Sequence, residues 1–248
     1  FLENAVMNVP PDDGIRVAVE DLRTLVWGIY KSVPIPDQDA LLVADLLIDT
    51  ELRGVVSHGV TQVERYVRSY QEGKMNPHPE IRVLNEGPVT AALSGDGGLG
   101  MIVATRAMGM AIDKAKVCGI GQVVVRNSTH FGSSAVHACL APEEGCIGIA
   151  LTNAGPEMAP WGGREGAVGT NPWGIAAPTG LGFPAVLDIA LTTAGKGMMN
   201  WHAAEGRAMP LDWALTPEGE ETDDPHAAMA GALLGIGRYK GYGLAFMT

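Results

Sequence analysis

Apolar residues recur at intervals of three and four along residues 17–32, VAVEDLRTLVWGIYKS, and again along 36–54, PDQDALLVADLLIDTELRG. That spacing keeps them on one side of an α-helix, so two amphipathic helices are predicted. Pro36 with Asp37 opens the second and Gly54 closes it. After VVSHG, the stretch VTQVERYVRSYQEG predicts a third helix, ended by Gly73. Residues 1–76 thus read as a helical region that carries the SHG turn.

From about residue 80 the period changes. Short runs of strand character, IRVLNE, VTAALS, GQVVVRNS and CIGIALTN, are interleaved with a helix from Met101 to Lys116 and a shorter one in SSAVHACLAPEE. This predicts an α/β domain over 77–237. Several strands are separated by too little chain for a helical crossover, so the sheet is expected to be mixed. Residues 153–185, rich in Gly, Pro and Trp, read as functional loops. Residues 238–248 read as the start of a C-terminal helical segment. The chain opens on Phe1 and stops within that apolar run, so it reads as part of a longer protein.

The turn between VTAALS and the long helix is GDGGLG, in which Gly95, Gly97 and Gly100 match the dinucleotide fingerprint G-x-G-x-x-G. A fingerprint of that kind requires an acidic residue at the end of the next strand to hold a ribose hydroxyl. Here that strand ends in Arg126 and Asn127. The pattern therefore reads as a tight turn before a packed helix, with an ordinary Rossmann dehydrogenase as the competing reading.

Composition narrows the function. Hydrophobic residues make up 46% and charged residues 18% of 248, which is a folded globular composition. A formal net charge of −11 excludes a nucleic-acid grip built on Lys and Arg. No apolar run reaches the roughly 18 residues of a membrane span. Three cysteines at spacings that make no zinc pattern point to a reducing, cytoplasmic compartment. No G-x-S-x-G elbow and no H-E-x-x-H pair occurs, which removes the usual signatures of serine and zinc hydrolases.

The chemistry-bearing stretches lie elsewhere. His58, between Ser57 and Gly59, would give or take a hydroxyl proton near neutral pH, with Ser57 orienting the ring; a capping Ser beside a surface His is the ordinary alternative. NSTHFGSS places His130, Phe131, Gly132, Ser133 and Ser134 at the C-terminal end of a strand and the start of a helix, where α/β sites gather and free N–H groups receive phosphate. His137 reads as a packed helical residue. GTNPWG, LDIA and AGKG supply Thr170, Asn171, Asp188 and Lys196, and GRYKGYG supplies Lys240 and Gly241. Thr and Lys are natural partners of a carboxylate, and Asp188 suits a ribose.

Taken in order, LRGVVSHG, NSTHFGSS, LTNAGPEMAPWGG, GTNPWGIAAP, VLDIA, GKG and YKGYGLA resemble the malate/L-lactate dehydrogenase family, from about residue 17 to the end of the chain. The resemblance implies an α/β fold that binds NAD or NADP without a Rossmann domain, with a mixed, largely antiparallel central sheet and a helical N-terminal region. It implies an oxidoreductase that passes a hydride between nicotinamide and a 2-hydroxy or 2-oxo acid, or a cyclic 2-imino acid. It also implies a homodimer with the site at its interface. Carried over motif by motif, His130, Phe131, Gly132, Ser133 and Ser134 look like coenzyme contacts, as do Asp188, Ile189, Ala190, Lys240 and Gly241. Gln62, Tyr66, Thr170 and Lys196 fall on the substrate side. The family offers two histidines as acid/base. His58, oriented by Ser57, is favoured, while His130 is the alternative base or holds substrate and nicotinamide together.

Three departures stand out. Gln62 replaces an Arg common in the family that would clamp a substrate carboxylate, leaving Arg65 to substitute from one turn along, and Met198 replaces a charged residue. A third is Ala154, where a serine is common after TN. Gln62, Met198 and the apparent truncation motivate a second reading, a catalytically weakened homologue that binds a dinucleotide as a sensor or structural partner.

Overall fold

The structure, a computed structural model, describes residues 15–248. Residues 1–14 of the expected N-terminal helical region lie outside the described residues. Two compact units emerge among the described residues, one built from 15–149 with 175–186, the other from 150–174 with 187–248.

In the first unit, α1 (Val19–Tyr30) and α2 (Asp37–Leu52) follow the predicted amphipathic stretches. Both begin with carboxylates in the first turn, Glu20 and Asp21 in α1 and Asp37 and Asp39 in α2, which suits the positive end of a helix dipole. Two single-turn 3₁₀ segments, Val56–His58 and Val60–Gln62, lead into α3 (Val63–Gln71). The helices bury Tyr30, Val43, Leu47, Tyr66 and Tyr70 in one core, shared with Leu99, Met101 and Ile102.

Strands β1 (Arg82–Glu86), β2 (Thr90–Gly98) and β3 (Gln122–Ser128) form a sheet in that order. β1 and β2 are antiparallel, with Val83 opposite Leu93, whereas β2 and β3 are parallel, with Leu93 opposite Val125. The parallel pair is joined by α4 (Gly100–Cys118), which closes at Gly119 in the left-handed conformation, φ 82°. A buried Asp39 carboxylate pairs with Arg106 at 3.3 Å and ties α2 to α4. The short α5 (Ser134–Ala138) follows β3.

The glycine turn is occupied by protein. Gly95–Gly98 continue β2, and a Cβ at Gly95 would come within 2.9 Å of the Asn127 carbonyl, one at Gly98 within 2.7 Å of Pro79. A Cβ at Gly100 would collide with the backbone of Thr129 and His130. These glycines therefore let the start of α4 and the end of β3 approach each other, which sets where His130 sits.

β4 (Gly148–Leu151), β7 (Trp173–Ala177) and β8 (Ala185–Ile189) form a second sheet in the order β4-β7-β8. The second unit contains β5 (Pro156–Met158), β6 (Val168–Gly169), β9 (Ala214–Leu215) and β10 (Ala232–Leu233), ordered β6-β5-β10-β9. Two of its pairings are antiparallel and one parallel. Helices α6 (Lys196–Ala204), α7 (Pro225–Ala230) and α8 (Tyr239–Met247) pack around Met158, Leu191, Met199 and Leu233. The sheet content is mixed as expected, but it is divided into three small sheets rather than gathered into one. Among the described residues, no helix is long and apolar enough to cross a membrane.

Candidate active site

The SHG turn is fixed from below by α2. Glu51 Oε2 accepts a hydrogen bond from the Val60 amide at 3.0 Å, and a Cβ at Gly59 would collide with that same carboxylate. A side chain at Gly59 would displace the carboxylate from the turn. Ser57 Oγ lies 2.9 Å from His58 Nδ1, so the hydroxyl holds the ring as the sequence predicts. Gln62 braces the turn from α3: its Nε2 donates to the Ser57 carbonyl at 2.6 Å, and its Oε1 accepts from Arg65 at 3.3 Å.

His130 follows directly after β3. The Thr129 amide donates to the Gly98 carbonyl at 3.1 Å, which continues the β2–β3 register up to the histidine. Its ring stacks on that of His58, centroids 5.6 Å apart and planes 22° apart. The hydroxyl of Tyr66, a fully buried residue of α3, lies 2.6 Å from His130 Nδ1, and the Gly132 amide donates to the same nitrogen at 3.4 Å. Ser57, His58, Gln62, Tyr66 and His130 therefore meet in one corner of the first unit, although Tyr66 and His130 are 64 residues apart in sequence.

The electrostatics of this corner favour a neutral His130. Desolvation, followed by the neighbouring His58 and Arg65 charges, pushes His130 down to about 4, so its imidazole is neutral at pH 7. Burial raises the Tyr66 phenol, which keeps its proton. That Arg65 acts on both groups places a positive charge beside the corner.

The rest of the NSTHFGSS stretch divides. Phe131 packs its ring 5.0 Å from His137, and the His137 Nε2–H donates to the Phe131 carbonyl at 2.7 Å, so His137 is the packed residue the sequence predicts. Gly132 adopts φ 79°, which a side chain would strain. Ser133 and Ser134 are buried, and among the described residues Ser134 Oγ has no hydrogen-bond partner.

The remaining candidates lie in the second unit. Thr170 accepts the Leu191 amide on its carbonyl at 2.8 Å. Asn171, buried and at φ 35°, accepts the Ala154 amide at 2.8 Å and donates to the Ala245 carbonyl at 2.7 Å, which makes it a pin between loop and α8. Asp188 and Ile189 end β8, and Ala190 follows. Lys196 begins α6 and pairs with Glu157 at 3.4 Å, a partner that the sequence did not single out. Lys240 is exposed on the first turn of α8, and a Cβ at Gly241 would collide with the backbone of Leu191 and Ile236. Glu51 and Gly100, which hold the two histidine turns, were also missed; their role depends on contacts that no local spacing encodes.

The residues present suit a dinucleotide. Among the described residues of the first unit a buried serine hydroxyl, Ser134 Oγ, is left without a partner. Within the second, Lys240 stands exposed on the first turn of α8, where its charge suits a phosphate, while the Lys240 and Gly241 amides already donate to the Gly237 and Ile236 carbonyls. Among the described residues no group of three or more His, Cys, Asp or Glu side chains is disposed to hold a metal ion.

Comparison with known proteins gives a consistent answer. The profile of the malate/L-lactate dehydrogenase family matches residues 17–248. Malate dehydrogenase of Pyrococcus horikoshii is 42% identical over 242 residues, covering 94% of this chain and 67% of that protein. The (2R)-3-sulfolactate dehydrogenase (NADP(+)) of Chromohalobacter salexigens is 32% identical over 232 residues, covering 94% and 69%. The solved sulfolactate dehydrogenase of Methanocaldococcus jannaschii superposes with a TM-score of 0.88 at 37% identity, over 94% of this chain and 67% of that one. The chain thus spans about two thirds of the length of these relatives.

Proposed function

This chain belongs to the malate/L-lactate dehydrogenase family, and on that premise we propose that it interconverts a 2-hydroxy acid and its 2-oxo acid, with cyclic 2-imino acids as the related substrates, using NAD or NADP. The observation that carries the reading is the stacked His58–His130 pair, with Ser57 on one ring and Tyr66 on the other. The coenzyme, when bound, supplies the hydride in reduction and accepts it in oxidation. The chain's own residues do the rest.

In this reading the substrate oxygen on C2 lies at the histidine corner. His58 delivers a proton to that oxygen in reduction and takes it back in oxidation, while Ser57 Oγ fixes the ring at Nδ1. His130, held neutral by burial, contributes a hydrogen bond rather than a charge. Arg65 meets the substrate carboxylate; its guanidinium is already directed to the corner by Gln62, which occupies the position of the family's usual arginine. Thr170 and Lys196 are assigned to the substrate, and His130 to Ser134, Asp188 to Ala190, and Lys240 with Gly241 to the coenzyme, on the resemblance of their motifs. The protein is assigned to the cytoplasm as a homodimer whose interface completes the site. Its three cysteines are free, which suits a reducing compartment.

The test is consumption of NADH and of NADPH by the full-length protein against oxaloacetate, pyruvate, further 2-oxo acids and cyclic imines. Turnover with one of these classes supports the reading. Coenzyme binding without turnover on any of them favours the sensor instead.

A further inference from the structure

We propose that Tyr66 is a positioning residue that locks His130 in a single tautomer, with Nδ1 bare and the proton on Nε2, rather than an aromatic contact to the substrate. Its effect on catalysis rests on the hydroxy-acid reading above; the tautomer does not.

Three observations fix the direction of the Tyr66–His130 hydrogen bond. Tyr66 is fully buried, and its hydroxyl meets His130 Nδ1 at 2.6 Å. Burial keeps the phenol protonated, so the hydroxyl has a hydrogen to place, and Nδ1 is the acceptor that receives it. The Gly132 amide also points its hydrogen at Nδ1, from 3.4 Å. A proton on Nδ1 would face both of these donors and leave the buried phenol hydrogen unpaired. The neutral ring consequently carries its hydrogen on Nε2, where among the described residues no protein group hydrogen-bonds it.

The packing explains why the lock is rigid. Tyr66 sits in the helical core beside Tyr30 and Tyr70, while Gly100 presses the start of α4 against the Thr129–His130 backbone. Donor and acceptor are therefore set by two independent pieces of tertiary structure. A neutral imidazole whose Nε2–H is presented in this way donates a hydrogen bond to a carbonyl oxygen without competing for its proton, which leaves proton delivery to His58. The buried location also explains why Tyr66 is not a substrate contact: its hydroxyl is already engaged.

The experiment is ¹⁵N NMR of the imidazole rings in the full-length protein near neutral pH, for wild type and Tyr66→Phe, with steady-state kinetics on both. Wild type is expected to show His130 Nδ1 unprotonated and Nε2 protonated. Tyr66→Phe is expected to show a mixture of tautomers and a kcat about ten-fold lower, with KM within about two-fold. Protonated Nδ1 in wild type overturns the proposal even if the variant fails to fold. So does a folded Tyr66→Phe protein that keeps the single tautomer, or one whose KM rises while kcat stands. If the tautomer shifts in the variant but wild type turns over no 2-oxo acid or imine, the lock holds and the functional reading fails.

Discussion

The histidine corner of the first unit and the cation-bearing segments of the second are held by different means. In the corner, side chain meets side chain: Tyr66 on His130, Ser57 on His58, one ring on the other. In the second unit the backbone is pinned, through Asn171 to Ala154 and Ala245 and through Leu191 to Thr170, while the cations stay at the surface. Lys196 is one-third exposed and its pairing with Glu157 is long, so the ion pair contributes little and yields readily to a substrate carboxylate. The contrast teaches a division of labour. Under the proposed function, the groups assigned to proton handling would be preorganised by packing, whereas the charged groups assigned to ligands would be left free to exchange partners.

The sharpest way to break that contrast is to remove a ring. His58→Ala is expected to lower kcat by about 10²-fold or more, and His130→Ala likewise, with circular dichroism unchanged. Near-normal turnover in both would end the assignment. Next in size is Gly100→Ala, whose added methyl collides with the Thr129–His130 backbone. It should cost about 3 kcal/mol, read from the urea midpoint, and disturb the corner as it does so.

A third effect follows from burial of His130, whose pKa falls from 6.5 to about 4. The folded state then binds fewer protons than the unfolded state between those values, so stability is fully present above about pH 6.5 and is lost as pH falls toward 4. His58, Arg65 and Tyr66 are the ionisable groups acting on this ring. His130→Gln should therefore lose about 3 kcal/mol less than wild type across the window, from denaturant midpoints at a series of pH values. Smaller still, Arg65→Ala and Lys196→Ala should each raise KM for a 2-oxo acid about ten-fold with little change in kcat. The smallest is Gly97→Ala. Gly97 has φ 73°, and a Cβ there would meet only ordinary van der Waals contact with Asn76, nearest at 3.6 Å, so the change should cost about 1 kcal/mol of stability and leave coenzyme affinity intact. Lost coenzyme binding in the folded variant would restore the Rossmann reading.

Much of this fold was legible because the signals were local. The apolar spacing of α1, α2 and α4 and the strand runs of β1 to β3 needed only period and punctuation, and the Arg126–Asn127 strand end by itself speaks against the fingerprint. Helices α6 and α7 were not anticipated. α6 carries a glycine in its first turn and lacks a strong apolar face, so packing on Met199 decides it. α7 did leave a cue: Asp224 before Pro225, whose carboxylate caps the His226 amide at 2.9 Å. At the site, residue types and Ser57's hold on His58 could be read from adjacency. The Tyr66–His130 bond could not, because it joins α3 to the end of β3 across 64 residues. The same holds for Glu51, which supports the SHG turn through tertiary contact alone.

The central claim is that the His58–His130 corner meets the reacting oxygen. It is tested most directly by following both imidazole spectra by ¹⁵N NMR while the full-length protein is saturated with reduced coenzyme and the 2-hydroxy acid that supports turnover, a pair that cannot react. The account predicts that both rings respond, His130 at Nε2 and His58 at the nitrogen away from Ser57. Binding of the pair with both rings unmoved would contradict it.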